Sequence, residues 1–264
     1  MSPMSSISAV ILAAGKGTRM KSPIPKVLHQ IHGKSMLKWV IEALHDSGVG
    51  QAVVVIGGHL PDFSAVLDQY PGLIVCEQRQ RRGTGDAVAA AAHAFIGVEV
   101  AGYSDGALLS GQPTASDYVL ICAGDAPNLK SATIRDFCQD VLSRKADMAV
   151  IGMKHPSPHG YGRIVLDSQE QLIRIVEEKD ADPETQKIDL CNTGVVMAKT
   201  NLLFNLLADL DTNNAQKEYY LTDCFGLAKE RGKSVHVYQT HNWQGFEGVN
   251  SPDQLTALAD IMRK

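Results

Sequence analysis

Along this chain, short runs of consecutive apolar residues alternate with stretches where apolar residues recur every three or four positions. Residues 8–13 (S-A-V-I-L-A), 52–56 (A-V-V-V-I), 73–76, 118–122 (Y-V-L-I-C) and 148–153 are apolar almost throughout, Ser8 being the polar exception. Such runs predict strands buried on both faces. Between them, Met36, Leu37, Val40, Ile41 and Leu44 recur at helical spacing and predict a helix over 35–46. Helical patterns also cover 61–69, the Ala-rich 84–95 and 131–144. Strands alternating with helices imply an α/β fold, with a mostly parallel central sheet and helices on both faces. Beyond residue 153 the pattern changes. Residues 163–166, 172–177 and 190–198 read as strands with short connections, an antiparallel extension, and helix returns at 219–230 and 252–263. Residues 97–117, rich in Gly, Ser, Ala and Asp, read as a long loop or insertion, and no internal repeat is visible.

In an open α/β sheet, ligands bind beyond the carboxyl ends of the strands. That rule singles out the loops 14–26, 57–60, 77–85 and 123–128. Composition narrows the ligand class. With 264 residues, 44% hydrophobic and 20% charged, the chain can build a sizeable core and is not disordered. Net charge is −4, yet the first 41 residues hold Lys16, Arg19, Lys21, Lys26, Lys34 and Lys38 and no acid. This asymmetry suits a small polyanion better than a nucleic acid, although on charge alone a solvated surface explains it too. The five cysteines are odd in number and lack C-x-x-C spacing, which argues against disulfides or structural zinc and fits a reducing cytoplasm. The Ser-rich residues 1–8 and the short apolar run 9–14 do not form a secretion signal, and no run reaches the ~18 apolar residues of a spanning helix. The expectation is a soluble, cytoplasmic protein with neither membrane nor nucleic-acid partners.

The richest chemistry lies in residues 12–26, L-A-A-G-K-G-T-R-M-K-S-P-I-P-K. Glycines after a strand let backbone N–H groups approach a phosphate. The loop is not a dinucleotide fingerprint, because Met20 stands where the third glycine belongs. Gly33-Lys34-Ser35 and Gly232-Lys233-Ser234 fail as phosphate-loop motifs at Leu28 and Leu227. Arg19 and Lys26 can instead neutralise a triphosphate and charge developing on it, with Pro23 and Pro25 stiffening the run that delivers Lys26.

The run G-T-R-M-K-S-P-I-P-K-V-L-H resembles the signature of sugar-phosphate nucleotidyltransferases. It is most similar to the uridylyltransferase domain of the bifunctional N-acetylglucosamine-1-phosphate uridylyltransferase/acetyltransferase family. The similarity continues in order through Q-R-Q-R-R-G-T-G-D-A (78–87), G-D-A-P (124–127), H-G-Y-G-R-I (159–164), I-V-E-E-K-D (175–180), C-N-T-G-V (191–195), N-N-A-Q-K-E-Y-Y-L-T-D (213–223) and E-G-V-N (247–250). The resemblance implies a Rossmann-like nucleotidyltransferase fold over residues 6–250, with 251–264 as a C-terminal helix; no hexapeptide repeat follows residue 250, so no acetyltransferase β-helix domain is expected here, a departure from the family. It implies transfer of the uridylyl group of UTP to N-acetylglucosamine 1-phosphate, releasing pyrophosphate. Leu12, Ala13, Ala14, Gly15, Gly17, Thr18, Gln78, Gly83 and Thr84 match nucleotide-binding positions, and Arg19 and Lys26 the catalytic cations. Asp125 and Asn250 match the ligands of Mg²⁺, a hard ion suited to carboxylate and amide oxygens. Gly124, Gly162, Glu177, Asn192, Tyr220 and Thr222 match sugar-binding positions. Glu178 reads as a surface bystander, Tyr219 as core, and Arg79, Arg81 and Arg82 as solvated, with one of the three able to meet a phosphate.

The chain departs from the family at Gln80, at Asp86 where many members carry His, at Ala123 and Asn128, and in the length of 97–117. These departures crowd the nucleotide loops, so another sugar 1-phosphate or another nucleoside triphosphate stays open. A non-catalytic nucleotide-sugar binding module is the reading from a different class, and intact Lys26, Asp125 and Asn250 argue against it. Oligomeric state is left open; a monomer is compatible with a chain lacking the β-helix.

Overall fold

A computed structural model describes residues 3–58, 60–101 and 106–263. The elements run β1 (Ile7–Ala13), β2 (Gln30–Ile31), β3 (Lys34–Ser35), α1 (Met36–Ser47), β4 (Gln51–Ile56), α2 (Ser64–Leu67), β5 (Ile74–Gln78), α3 (Thr84–Ala90), β6 (Gly106–Ser110), β7 (Tyr118–Ala123), α4 (Ser131–Arg144), β8 (Met148–Lys154), β9 (Arg163–Leu166), β10 (Leu172–Val176), β11 (Leu190–Lys199), α5 (Thr200–Leu207), α6 (Asp223–Glu230), β12 (Val235–Thr240) and α7 (Pro252–Ile261). The main path of the large sheet is β10-β9-β11-β7-β1-β4-β5-β6, and β8 pairs with both β11 and β12. β1 is parallel to β4 and β7, and β4 to β5. β11 is antiparallel to β7 and β8, and β9 to β10, which is the expected antiparallel extension.

The apolar runs are continuous because both faces of the sheet are covered. Ile7, Ala9 and Ile11 of β1 pack on one side with Leu37, Val40 and Leu44 of α1 and Phe137 of α4. Val10 points to the other side, where Val88 of α3, Leu203 of α5 and Phe225 of α6 close the second layer.

Several boundaries differ from expectation, each for a local reason. The helix expected over 61–69 shrinks to α2, preceded by a tighter turn at Leu60–Phe63 that contains Pro61. The helix expected from 84 to 95 tightens after Ala90 into a 3₁₀ turn. The helix expected from 219 starts only at Asp223, because the preceding residues bond to a distant loop instead of to each other. The expected insertion at 97–117 contains β6, which pairs antiparallel with β5 and forms that edge of the sheet; residues 102–105 of that stretch, and residue 59 of the loop 57–60, lie outside the described residues, as do residues 1–2. No helix among the described residues is long and apolar enough to cross a membrane.

Candidate active site

β7, β1, β4 and β5 are consecutive neighbours in the sheet, and a cleft of about 500 Å³ opens beyond the carboxyl ends of β7, β1 and β5. Leu12, Ala14, Gly15, Lys26, Gln78, Gly83, Thr84 and Asp125 all line it. Eight of the residues singled out in the sequence, spread over more than a hundred positions, therefore share one wall-to-wall space. The N–H groups of Gly15, Lys16 and Gly17 have no acceptor among the described residues, which leaves this loop free to receive an anion.

Lys26 is placed by Gly17. The glycine adopts φ +60°, and a Cβ there would sit 2.6 Å from Lys26 Cβ. The backbone thus needs both a left-handed residue and one without a side chain. The Lys26 ammonium donates to Asp125 Oδ2 and, at 3.0 Å, to Asn250 Oδ1. The Asp125 backbone carbonyl accepts from the Val249 N–H at 3.0 Å, tying the 247–250 segment to the end of β7. A Cβ at Gly248 would lie 3.5 Å from Asp125 Oδ1, so the segment passes close over the carboxylate. Asp125 and Asn250, 125 positions apart in the chain, therefore address one point with hard oxygen donors.

Other expected nucleotide residues stand apart from the cleft. Ala13 is buried in the core, and Thr18 and Arg19 are exposed on the turn that ends at the buried Met20. Gly124, expected at the sugar, hydrogen-bonds through its N–H to Leu12 O at 2.9 Å and lies against Val27, at the ends of β1 and β7.

The remaining sugar positions form a connected group. Asn192 N–H donates to Gly162 O at 2.8 Å, a Cβ on Gly162 would meet Glu177 Oε2 at 3.3 Å, and Thr222 Oγ1 donates to Glu177 Oε1 at 2.9 Å. Burial holds the Glu177 carboxyl above its ordinary range, against the opposing pull of the Thr222 hydroxyl. Tyr220 OH donates to Asp180 Oδ2 at 3.1 Å. Glu177, Asp180, Tyr220, Thr222 and Asp223 line a second cavity of about 400 Å³. Burial, then Asp211 and Asp180, push Asp223 up to about 6.

The residues expected at the sugar are fastened to the loop expected at the nucleotide. Tyr219 N–H donates to Arg82 O at 2.7 Å, Gly85 N–H to Tyr219 O at 2.8 Å, and Leu221 N–H to Thr84 Oγ1 at 3.1 Å. Gly83, at φ +118°, would bring a Cβ within 2.5 Å of Tyr219 O. Tyr219 is accordingly half-buried, with the Arg82 guanidinium 5.4 Å from its ring centre, and its neighbour Tyr220 is the buried one. This corrects the reading of Tyr219 as core.

Two other readings also change, those of Arg82 and Glu178. Arg82 is not simply solvated: it forms an ion pair with the buried Asp86 at 2.7 Å. Arg81, which donates to Gly57 O, and Arg79, which faces Glu77, are exposed as expected. Glu178 is no bystander: it pairs at 2.8 Å with Arg163, which is 1% exposed, and at 2.9 Å with His159. The motif H-G-Y-G-R-I contained that arginine, but sequence spacing gave no sign of its partner. All five cysteines are free and buried, and burial raises the thiols of Cys76, Cys122 and Cys138 to about 12, so none is an activated nucleophile.

Known proteins resemble this chain in sequence and in fold. The chain is 36% identical over 262 residues to the bifunctional protein GlmU of Pelobacter propionicus, covering 99% of this chain and 53% of that one. It is 38% identical over 264 residues to the bifunctional protein GlmU of Caulobacter vibrioides, with coverage of 99% and 53%. The chain thus spans about half the length of the curated relatives it matches. Among solved structures, a Bacillus anthracis protein assigned as a glucose-1-phosphate thymidylyltransferase, in complex with a sucrose, superposes with a TM-score of 0.76 at 18% identity, covering 98% of this chain and 96% of that one. A UDP-glucose pyrophosphorylase complexed with UDP-glucose superposes with a TM-score of 0.71 at 18% identity, with coverage of 97% and 98%. These two establish the shared fold. A family model matches residues 9–183, from the first strand through the phosphate loop, Asp125 and Glu177, and by that match the chain belongs to the MobA-like NTP transferase family.

Proposed function

We propose that this chain transfers the uridylyl group of UTP to N-acetylglucosamine 1-phosphate, giving UDP-N-acetylglucosamine and pyrophosphate, in the cytoplasm and with Mg²⁺. The observation that carries the reading is the meeting of Lys26, Asp125 and Asn250 at the mouth of a cleft whose far wall holds Gln78, Gly83 and Thr84. The GlmU relatives, similar over nearly the whole of this chain, support the choice of base and sugar. Residues 6–250 form the catalytic unit in this reading and 251–264 a C-terminal helix; the proposal concerns uridylyl transfer alone.

The donor set fits a magnesium ion. Asp125 and Asn250 offer one carboxylate and one amide oxygen toward a single point, which the Lys26 ammonium contacts here. Two protein oxygens leave room for the waters and phosphate oxygens that Mg²⁺ retains. Bound there, the ion would neutralise phosphate charge and hold the two substrates together.

The chain's own residues supply positioning and charge. The sugar phosphate oxygen that attacks the α-phosphorus is already anionic, so no general base is required. The loop N–H groups of Gly15 to Gly17 receive phosphate oxygens, and Lys26 stabilises charge on the pentacoordinate phosphorus. Arg19, exposed on the Thr18–Met20 turn beside the loop, is the second cation and would meet the leaving pyrophosphate. Gly162, Glu177, Asn192 and Thr222 orient the sugar.

The test is a pyrophosphate-release assay over a grid of nucleoside triphosphates and sugar 1-phosphates, with and without Mg²⁺. The best pair is expected to be UTP with N-acetylglucosamine 1-phosphate. Lys26→Ala should lower kcat by ~10²–10³ with an unchanged circular dichroism spectrum. A folded Lys26→Ala variant of normal kcat, or a clear preference for another pair, overturns the reading.

A further inference from the structure

Gln78 lines the cleft, yet its side-chain amide is held from behind. It is 3% exposed, and its Nε2 donates to Asp86 Oδ2 at 2.5 Å and to Gly83 O at 3.3 Å. Asp86 is itself 2% exposed, and Arg82 grips its other oxygen with Nε at 3.0 Å and Nη2 at 2.7 Å. A carboxylate paired with a guanidinium accepts hydrogen bonds and offers none. The edge of Gln78 facing Asp86 and Gly83 must therefore be the NH₂ group. Turning the amide over would set its carbonyl against two acceptors. Gln78 Oε1 makes no hydrogen bond among the described residues, and it is the atom left for a ligand.

We propose that Asp86, braced by Arg82, is a positioning residue that locks Gln78 with its carbonyl toward the nucleobase, so that the cleft selects a pyrimidine carrying an N3–H. Uracil and thymine present that donor; cytosine presents a bare N3 lone pair at the same place and is repelled. An unlocked glutamine could serve either base by flipping, because an amide has a donor end and an acceptor end. The Asp86 carboxylate removes that freedom. Rejection through an unpaired polar contact discriminates more strongly than shape does. The inference rests on the proposed reading of the cleft as a nucleotide site, and it concerns the one position in G-T-G-D-A where this chain departs from the resembling family's histidine.

The experiment measures kcat/KM for UTP and for CTP with the full chain, alongside calorimetric Kd values for UDP and CDP and a thermal melt for each variant. Asp86→Asn supplies an amide that can donate to Gln78 Oε1 and so permits the flip. The UTP-to-CTP preference should fall at least about tenfold, equivalent to ~1.4 kcal/mol, with the KM for the sugar 1-phosphate within about twofold of the parent. The exchange Gln78→Glu with Asp86→Asn keeps the charge of the pair and again directs an acceptor oxygen at the base, so it should restore most of the preference. A folded Asp86→Asn that keeps the parent ratio in both turnover and binding overturns the role of Asp86. If Asp86→Asn does not fold, the exchange variant decides alone: preference retained supports the lock, preference lost overturns it. If the unaltered chain neither turns over nor binds any pyrimidine nucleotide, the nucleotide reading itself is wrong and this inference falls with it.

Discussion

Gly17 and Gly15 sit two positions apart in the same loop and have different jobs. A Cβ on Gly15 would meet nothing within 4 Å, and its backbone is not left-handed. A Cβ on Gly17 would collide with Lys26, and φ is +60°. Gly17→Ala should therefore cost about 1–2 kcal/mol of stability in urea denaturation. It should also lower kcat by roughly 10²-fold, since a displacement of about 1 Å in the Lys26 ammonium is costly to positioned catalysis. Gly15→Ala should leave the urea midpoint in place, and equal losses from the two substitutions would contradict this division. The motif G-K-G-T-R made both glycines visible as phosphate-loop residues. Which one is sterically required was not legible, because the answer depends on Lys26 folding back onto the loop. Glu178 was misjudged for a related reason. Charged residues are mostly solvated, and nothing local to E-E-K-D announces the buried Arg163 opposite. Glu178→Gln leaves that arginine's charge uncompensated and should cost about 3 kcal/mol in the same measurement. A loss under about 1 kcal/mol would return Glu178 to the surface.

The strands of the parallel core were legible almost to the residue, since burial on both faces writes itself as an unbroken apolar run. β6, α5 and β12 were not. β6 is five residues, Gly106–Ser110, inside a polar stretch, and β12, V-H-V-Y-Q-T, is half-buried and alternating. The start of α6 was misplaced because Tyr219 and Leu221 spend backbone hydrogen bonds on the Arg82–Gly85 loop. Tertiary bonding overrides local helical preference there, and it is also what joins the sugar positions to the nucleotide loop. The first residue of the helix that follows, Asp223, carries a further consequence. Its carboxyl is raised to about 6 by burial and by Asp211 and Asp180. A carboxyl with a folded-state pKa above its unfolded value of about 4 holds its proton more tightly when folded. Its contribution to stability is therefore present at pH 4, declines as pH rises through 6, and stays low above. Discounted for the solvent on its open side, the penalty at neutral pH is about 1 kcal/mol. Asp223→Asn should raise Tm by roughly 2 °C at pH 7.5 and by nothing at pH 4, read by differential scanning calorimetry. A gain that is equal at both pH values would mean that charge is not the cause.

Across the molecule, the convergence of positions 26, 125 and 250 was expected from resemblance and could not be deduced from spacing; the fold supplies the reason it occurs. α7 buries Leu258, 3% exposed, in a cluster with Met20, Ile31, Met36 and Val249. Met20 closes the turn between Gly17 and Lys26, and Val249 precedes Asn250. One small apolar cluster therefore anchors both approaches to the cation point. Polar bonds reinforce it: Ser251 Oγ accepts from Gln254 N–H at 3.3 Å, Gln254 Oε1 accepts from Asn250 N–H at 2.7 Å, and His32 Nε2 lies 2.8 Å from Ala259 O. Leu258→Ala removes the centre of this cluster and should cost about 2–4 kcal/mol. For a chain of this size that is a fall in Tm of roughly 5–10 °C. The more telling consequence concerns the metal. With Val249 and Met20 loosened, Asn250 is no longer held toward Asp125, so the Mg²⁺ concentration giving half-maximal rate should rise severalfold. The sugar positions hang on β9, β11 and the 218–222 segment, outside this cluster, so KM for the sugar 1-phosphate should stay unchanged. Titrating Mg²⁺ below the variant's melting temperature separates the two effects. A lowered Tm with an unaltered Mg²⁺ response would make α7 a stabilising element only, whereas the coupled loss expected here makes it the structural support of the catalytic centre.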